Sequence, residues 1–507
     1  MKPATHVIRD EVAKRLLARA VSKSLTGRLD DLRGLLFLGG DAFRVEDNPG
    51  LAAFMRDLKA DIDNNTGMAT LFLRVGSALG KTGKRKLVEN LIYNWGVLGN
   101  QLRRQLATLD SWVPSLVVIS PTMRCNLRCT GCYSGLYTKD GELSERDMEN
   151  ILDQCRQLGI YFVVISGGEP YVLKEMLLRL FRKYNDMFFL TYTNGTLLDE
   201  PTVRSLAKLG NVAPAISVEG FREQTDHRRG SGTYEVVTKA MQSLKSHGVL
   251  FGMSVTYTRE NIDVITGDAF IEHFIDKGVI FAWYFMFMPV GKDPILELVP
   301  TPEQRLLCGR RVSELRRKYP IFLADFWNDG PAASGCLAGG RSYLHILNSG
   351  RVEPCVFAHF GVDNIRDKSL REAANSPFFK AIRARFPYND NGNLMRPCMI
   401  IDNPQVLRET VAQYIVPEGH AHSEDIIRDP HVVEWVDDYS ERFKALTDPL
   451  WESQTGDPGN RWYREKSEYK NLFSFQELRG KGEYDHGQPD AEGRLTEISV
   501  RKGDAHE

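Results

Sequence analysis

Three cysteines within eight positions, Cys125, Cys129 and Cys132, carry the plainest chemical signal in this chain of 507 residues and eight cysteines. Thiolates so spaced on one loop match two chemistries, part of a zinc site or three of the four ligands of an iron-sulfur cluster. A structural zinc site wants a fourth ligand close by, and no His or Cys follows until Cys155, inside a helical pattern. A cluster with one iron left open fits better, because the open position can bind a substrate or cofactor. A thioredoxin-like reading of Cys129 and Cys132 fails on the extra Cys125 and on the missing helix start.

A second motif, Ser166-Gly-Gly-Glu-Pro170, follows another apolar run. Gly167 and Gly168 let backbone approach a ligand closely, and exposed carbonyls there can accept from an ammonium group. Pro170 suits a helix start. A later, wider set of cysteines, Cys336, Cys355 and Cys398, is flanked by Gly and Pro. Cys155 and Cys308 lie on helical patterns and read as small buried hydrophobes. His420, His422 and His431 lie in a polar stretch and read as solvated.

The elements that must position these residues are six short apolar runs, at 116–120, 161–166, 187–192, 212–218, 250–257 and 279–288. They alternate with helical patterns such as 144–158, where Ser144, Glu145 and Asp147 favour a helix N-terminus, and 233–247. Runs apolar throughout read as strands buried on both faces. Their alternation implies a parallel sheet curling toward a barrel, two strands short of an eight-fold one, with the site in loops at the strands' C-terminal ends. The aromatic run 283–288 either lines the barrel mouth or packs the last strand on its own helices.

Cys-x3-Cys-x2-Cys after a first strand, with Ser166-Gly-Gly-Glu-Pro170 after a second, resembles the radical S-adenosylmethionine (SAM) superfamily over about residues 115–291. The resemblance implies that Cys125, Cys129 and Cys132 hold a [4Fe-4S] cluster whose open iron binds the amino and carboxylate groups of SAM. An electron from that cluster would cleave SAM to methionine and a 5'-deoxyadenosyl radical, which abstracts hydrogen from substrate. It further implies SAM contacts at Gly167, Gly168, Glu169 and Pro170, at Ser217 and Glu219 near the ribose, and at Arg228 or Arg229 for the carboxylate. A solvated basic loop is the plainer reading of that last pair. The position before the third cysteine, aromatic or bulky in the superfamily, is Gly131 here. Adenine packing then passes to Tyr133 or to another side chain.

Cys336, Cys355 and Cys398, with the stretch 362–370, resemble the auxiliary-cluster extensions called SPASM and twitch. Three cysteines fit a single twitch-like [4Fe-4S] cluster, with His345, His359, Asp402, a water or the substrate at its fourth iron. The expected fold is α/β, a partial (β/α)6 TIM-like barrel at 111–295. A helical N-terminal region at 1–110 precedes it. A cluster-binding domain at 296–410, a helical extension at 411–478 and a disordered tail at 479–507 follow. In the N-terminal region Leu87, Leu91, Trp95, Leu98, Leu102 and Leu106 form one helical stripe, which packs on the barrel. Beside it Lys81, Lys84, Arg85 and Lys86 give the alternative of a peripheral membrane contact.

Composition narrows the partners. Lys plus Arg total 65 against 66 Asp plus Glu, a net charge of -1, so no global field gathers nucleic acid. With 42% hydrophobic and 26% charged residues the chain falls in the range of ordinary globular proteins. No run is long and apolar enough to span a membrane, and the N-terminus has no apolar h-region, so a cytoplasmic protein with reduced thiols is expected. The expected activity is hydrogen abstraction from an organic substrate, with flavodoxin or ferredoxin as electron donor. A lipid or small molecule is favoured because no winged-helix peptide-binding module is apparent in 1–110. A peptide-modifying maturase and a non-catalytic iron-sulfur electron carrier are the alternatives.

Overall fold

Each apolar run forms a strand, and successive strands pair in parallel because a helix returns the chain between them. A computed structural model describes residues 67–107, 111–291, 295–414, 416, 419–420 and 422–456. The patterns in residues 1–66 and the tail expected at 479–507 lie outside the described residues. The strands β1 (Leu116–Ile119), β2 (Phe162–Ile165), β3 (Phe188–Thr193), β4 (Val212–Val218), β5 (Gly252–Tyr257) and β6 (Phe281–Met286) form one parallel ladder in chain order.

Two further parallel strands extend it. β7 (Phe322–Asp325) pairs with β6, and β8 (Tyr343–Ile346) pairs with the far side of β1, so eight strands run parallel where six were expected. The antiparallel β9 (Arg351–Glu353) and β10 (Asp363–Asn364) complete a ten-stranded sheet. The sheet continues across the boundary expected at 295/296. No ladder joins β7 to β8, so the barrel stays open there, and the rings of Phe326 and Tyr343, 6.2 Å apart, face each other across the opening.

Among the helices, α1 (Gly67–Ala78), α2 (Lys81–Lys86) and α3 (Asn100–Leu106) precede the barrel, with a π-helical stretch, Leu87–Gly99, between the last two. α4 (Glu145–Gln157), α5 (Lys174–Lys183), α6 (Glu200–Leu209), α7 (Arg222–Arg229), α8 (Thr233–Ser246) and α9 (Asp268–Asp276) lie between strands, and α10 (Pro302–Lys318) precedes β7. Ser144 caps α4 in a reciprocal pair with Asp147, as its sequence predicts. Cys155 in α4 and Cys308 in α10 are fully buried.

The N-terminal helices close the floor of the barrel, at the strands' N-terminal ends. Their contact there is polar, not the leucine stripe. Lys86, Asn90 and Asn94 are buried and donate to the carbonyls of Asn185, Asn185 plus Met187, and Asp186, just before β3. Arg103 Nη1 donates to Gly159 O before β2, and Trp95 Nε1 to Ser115 O before β1. Strand starts offer unpaired carbonyls, and amide and cationic side chains satisfy them. Leu87, Leu91 and Leu106 pack against the core only in part, and π-helical winding turns Leu87 and Leu91 off the 3.6-residue stripe. No helix among the described residues is long and apolar enough to cross a membrane.

Candidate active site

The opposite end, where the strands finish, gathers the predicted residues. The loop after β1 carries Cys125, Cys129 and Cys132, and backbone contacts hold it on two sides. Gly168 N and Glu169 N donate to Thr122 O (3.0 Å) and Arg124 O (2.8 Å), while Thr130 N donates to Arg228 O at 3.0 Å. These contacts explain the glycine pair. A Cβ at Gly167 would lie 2.3 Å from Thr122 O, and one at Gly168 2.3 Å from Arg124 O. Only glycine lets the cysteine loop lie so close on β2's end.

The three cysteines line one cavity of about 820 Å³, together with Tyr133, Gly167, Gly168, Ser217, Arg228 and Arg229. Glu169 and Pro170 do not line it. Burial pushes the Glu169 carboxyl up to about 7, and its oxygens accept from Tyr171 N (3.0 Å), Thr193 Oγ1 (2.8 Å) and Asn194 N (2.7 Å). Pro170 opens a short 3-10 turn behind it. Asn194, so held, donates to Asn126 Oδ1 at 2.9 Å and points Nδ2 at Cys125 Sγ, 3.7 Å away. The sequence reading missed Asn194. Its signal is a polar residue directly after a buried strand, in an Asn-Gly turn at the mouth.

Glu219 lies behind the cavity wall and joins the two arginines. Its Oε1 accepts from Arg228 Nη1 at 2.7 Å and from Arg229 Nε and Nη2 at 2.7 and 2.5 Å. Two guanidiniums on one carboxylate leave a surplus positive charge, with Arg229 Nη1 4.0 Å from Cys129 Sγ. Arg228 Nε and Glu219 Oε2 are buried without any partner. Arg228 and Arg229 line the cavity with the cysteines, and their surplus positive charge suits a ligand with an anionic group.

Burial pushes the thiols of Cys125 and Cys129 up, Arg229 opposing it at Cys129. Leu127 N donates to Cys125 Sγ at 3.4 Å. Among the described residues no group of three His, Cys, Asp or Glu is placed to hold a single metal ion. Gly131, in the left-handed region at φ 60°, faces Phe287, which also lines the cavity. Tyr133 lies against Phe357, ring centroids 5.4 Å apart, with its hydroxyl 3.2 Å from Ser166 Oγ.

Cys336, Cys355 and Cys398 come together beyond β8, around Tyr343. Tyr343 Oη is 3.2 Å from Cys355 Sγ, and Tyr343 also lines the main cavity. Burial raises all three thiols, Cys336 to about 12, so a thiolate there requires a cation beside it. Phe357 N and Ile400 N each donate to the sulfur two residues back, of Cys355 (3.5 Å) and Cys398 (3.4 Å), as Leu127 does to Cys125. Buried thiols with amides turned onto sulfur fit cluster ligands.

The side chains proposed for a fourth iron are engaged elsewhere. His345 lies between Ser120 Oγ (2.7 Å) and Glu353 Oε2 (3.2 Å), and His359 between Val356 O and His420. Asp402 pairs with Arg305 and accepts from Cys398 N. His422 and His431 are exposed.

A cysteine triad at the barrel mouth beside two arginines, with a second triad around Tyr343 at the start of β8, defines an iron-sulfur enzyme of the α/β-barrel class. Residues 119–266 match the radical SAM superfamily, and residues 336–399 match SPASM, an iron-sulfur cluster-binding domain. The chain is 30% identical over 282 residues to the mycofactocin maturase MftC of Mycobacterium tuberculosis (strain CDC 1551 / Oshkosh), covering 52% of this chain and 71% of that one. It is 27% identical over 286 residues to the PqqA peptide cyclase of Gluconobacter oxydans, covering 53% and 79%. Over 153 residues it is 29% identical to the Fe-coproporphyrin III synthase of Methanosarcina barkeri, covering 29% of this chain and 38% of that protein.

The chain belongs to the radical SAM superfamily and carries a SPASM domain. It is an enzyme that uses SAM, a [4Fe-4S] cluster and auxiliary iron-sulfur binding.

Proposed function

We propose that Cys125, Cys129 and Cys132 hold the SAM-cleaving [4Fe-4S] cluster, and that Cys336, Cys355 and Cys398 hold a single auxiliary one. When bound, the first cluster supplies the electron that cleaves SAM to methionine and a 5'-deoxyadenosyl radical, which takes hydrogen from an organic substrate. The observation that carries this assignment is that Cys125, Cys129 and Cys132 share one cavity with Gly167, Gly168 and the Glu219-paired Arg228 and Arg229.

Arg228 and Arg229 bind the methionine carboxylate, and Glu219 holds both in place. Gly167 and Gly168 seat the cysteine loop, and their carbonyls take the ammonium group. Ser217 faces the ribose from β4. Phe287, filling the space beside Gly131, supplies the adenine wall with Tyr133. Glu169 and Pro170 act by positioning, through Asn194 and the turn behind the mouth. Lys86 is buried on a barrel carbonyl and Arg85 pairs with Glu89, so the N-terminal helix serves as the barrel floor before any membrane contact. The reading includes a one-electron donor of flavodoxin or ferredoxin type and a cytoplasmic location, where thiols stay reduced.

Anaerobic reconstitution followed by incubation with SAM and dithionite tests the assignment. Formation of 5'-deoxyadenosine is expected, and its absence under every condition overturns the assignment in favour of an electron carrier. A peptide substrate is the second reading, favoured by the likeness to a peptide cyclase.

A further inference from the structure

The interior of the barrel is not filled. In barrels of this kind layers of bulky side chains close the core. Here the cavity of about 820 Å³ descends from the cysteine loop to Leu116 and Phe162, the first residues of β1 and β2. At about 3.3 Å per residue, the four steps from Leu116 to Ser120 make this shaft roughly 13 Å deep. Trp95 closes its floor, edge-on to Phe162 with ring centroids 5.4 Å apart.

Polarity along the shaft is graded. Every charged side chain lining the cavity, Arg124, Arg128, Lys139, Arg228 and Arg229, lies above the strand ends. Below them one wall is aromatic, with Trp283 and Phe285 of β6. Val118, Val164 and Leu190 form another, Ser254 and Thr256 on β5 add two hydroxyls, and Tyr343, level with Leu116, has its own hydroxyl engaged by Cys355. On β6 Trp283 and Phe285 face the cavity, while Ala282 and Tyr284 between them are fully packed on the other face. Both earlier readings of the aromatic run therefore hold, one for each face of the strand.

From this gradient, and resting on the SAM-cleaving assignment above, we infer that the substrate carries an uncharged apolar segment that fills the shaft to its floor, its reacting carbon remaining at the mouth. An extended peptide backbone brings an N–H and a C=O with every residue, which this lining cannot satisfy. A peptide could enter only by a side chain, which leaves the lower shaft empty.

The test is equilibrium dialysis of 1-hexanol and 1-dodecanol against the reconstituted protein with SAM present. One molecule of 1-dodecanol per chain is expected, bound more than about 100-fold tighter than 1-hexanol, because each further methylene is buried. Leu190→Trp on β3 and Ser254→Phe on β5, which fill the shaft from two different strands, should each weaken 1-dodecanol binding more than about tenfold. Iron content checks that each variant folds. If both variants lose iron, the chain-length dependence of the unmodified protein decides alone. Binding that ignores chain length, or that survives both substitutions with iron intact, overturns the inference. Formation of 5'-deoxyadenosine by the unmodified protein is read separately, so its failure strikes the SAM assignment and not the shaft.

Discussion

Gly131 and Phe287 occupy one space: a Cβ on residue 131 would lie 2.4 Å from Phe287 Cε2. The cysteine loop gives up a side chain before Cys132, and the end of β6 provides a ring in its place. Gly131→Ala should displace that ring and strain a left-handed residue, lowering the iron held at the first site. Phe287→Leu keeps an apolar filler but removes the aromatic face. SAM affinity should fall roughly 5- to 160-fold, since base stacking on a ring is worth about 1–3 kcal/mol. Calorimetric titration with SAM measures it, and unchanged affinity would move the adenine contact to Tyr133.

Replacing Cys125, Cys129 and Cys132 together by Ala should abolish 5'-deoxyadenosine formation and leave roughly half of the bound iron, held by the later triad. Iron analysis on the same sample decides the outcome. A fall to nothing, or no change, means that the two triads do not hold separate clusters.

The cysteine loop and the Gly-Gly turn were legible because each is a local motif after a buried strand. Phe287 was legible as part of the aromatic run at 283–288, but Asn194 and Tyr343 were not, because each reaches the site from a different strand and only the barrel brings them together. The short strands β7 and β8 were lost for another reason: β7 ends in the charged Asp325 shortly after a helix, and β8 lies in a Gly- and Cys-containing segment with His345 at its centre, so neither shows an uninterrupted apolar run along its length. In the N-terminal helix the leucine spacing assumed 3.6 residues per turn, whereas Leu87–Gly99 winds as a π-helix and buries Glu89, Asn90 and Asn94. The sequence pattern carries no sign that the surface beneath consists of backbone carbonyls.

Asn90 tests that floor contact directly. Its side-chain amide donates to Asn185 O at 3.0 Å and Met187 O at 2.8 Å. Asn90→Ala removes both bonds while Lys86 still donates to Asn185 O and Asn211 to Met187 O, and should cost about 0.5–1.5 kcal/mol per bond lost. A lowered urea midpoint with unchanged slope is the expected result. No change would mean that water replaces the amide and that the floor is less tightly sealed than its geometry shows.

Glu169 should give the fold a pH dependence. Burial raises its carboxyl to about 7, above its unfolded value, so the folded state keeps a proton that the unfolded chain releases. Its contribution to stability is full below the ordinary carboxylate range and is lost as pH rises through about 7, by roughly 3 kcal/mol at most. Thermal midpoints measured from pH 5 to 8 should fall more steeply for the unmodified protein than for Glu169→Gln. Parallel profiles would show that the carboxylate is fully stabilised by its three donors.

Tyr343 stands between the two halves of the site, its ring lining the cavity and its hydroxyl 3.2 Å from Cys355 Sγ. When Cys355 is a thiolate only the phenol can donate, and a hydrogen bond to sulfur favours the reduced, more negative cluster. Tyr343→Phe removes that bond and keeps the ring. A hydrogen bond to a charged group is worth about 1.5 kcal/mol, which corresponds to about 60 mV for one electron. The auxiliary midpoint potential should therefore become more negative by roughly that amount, while the first cluster keeps its own. Potentiometric titration followed by electron paramagnetic resonance separates the two signals. An unshifted auxiliary potential would show that the phenol turns away from sulfur once iron is bound, and would leave Tyr343 as cavity wall alone.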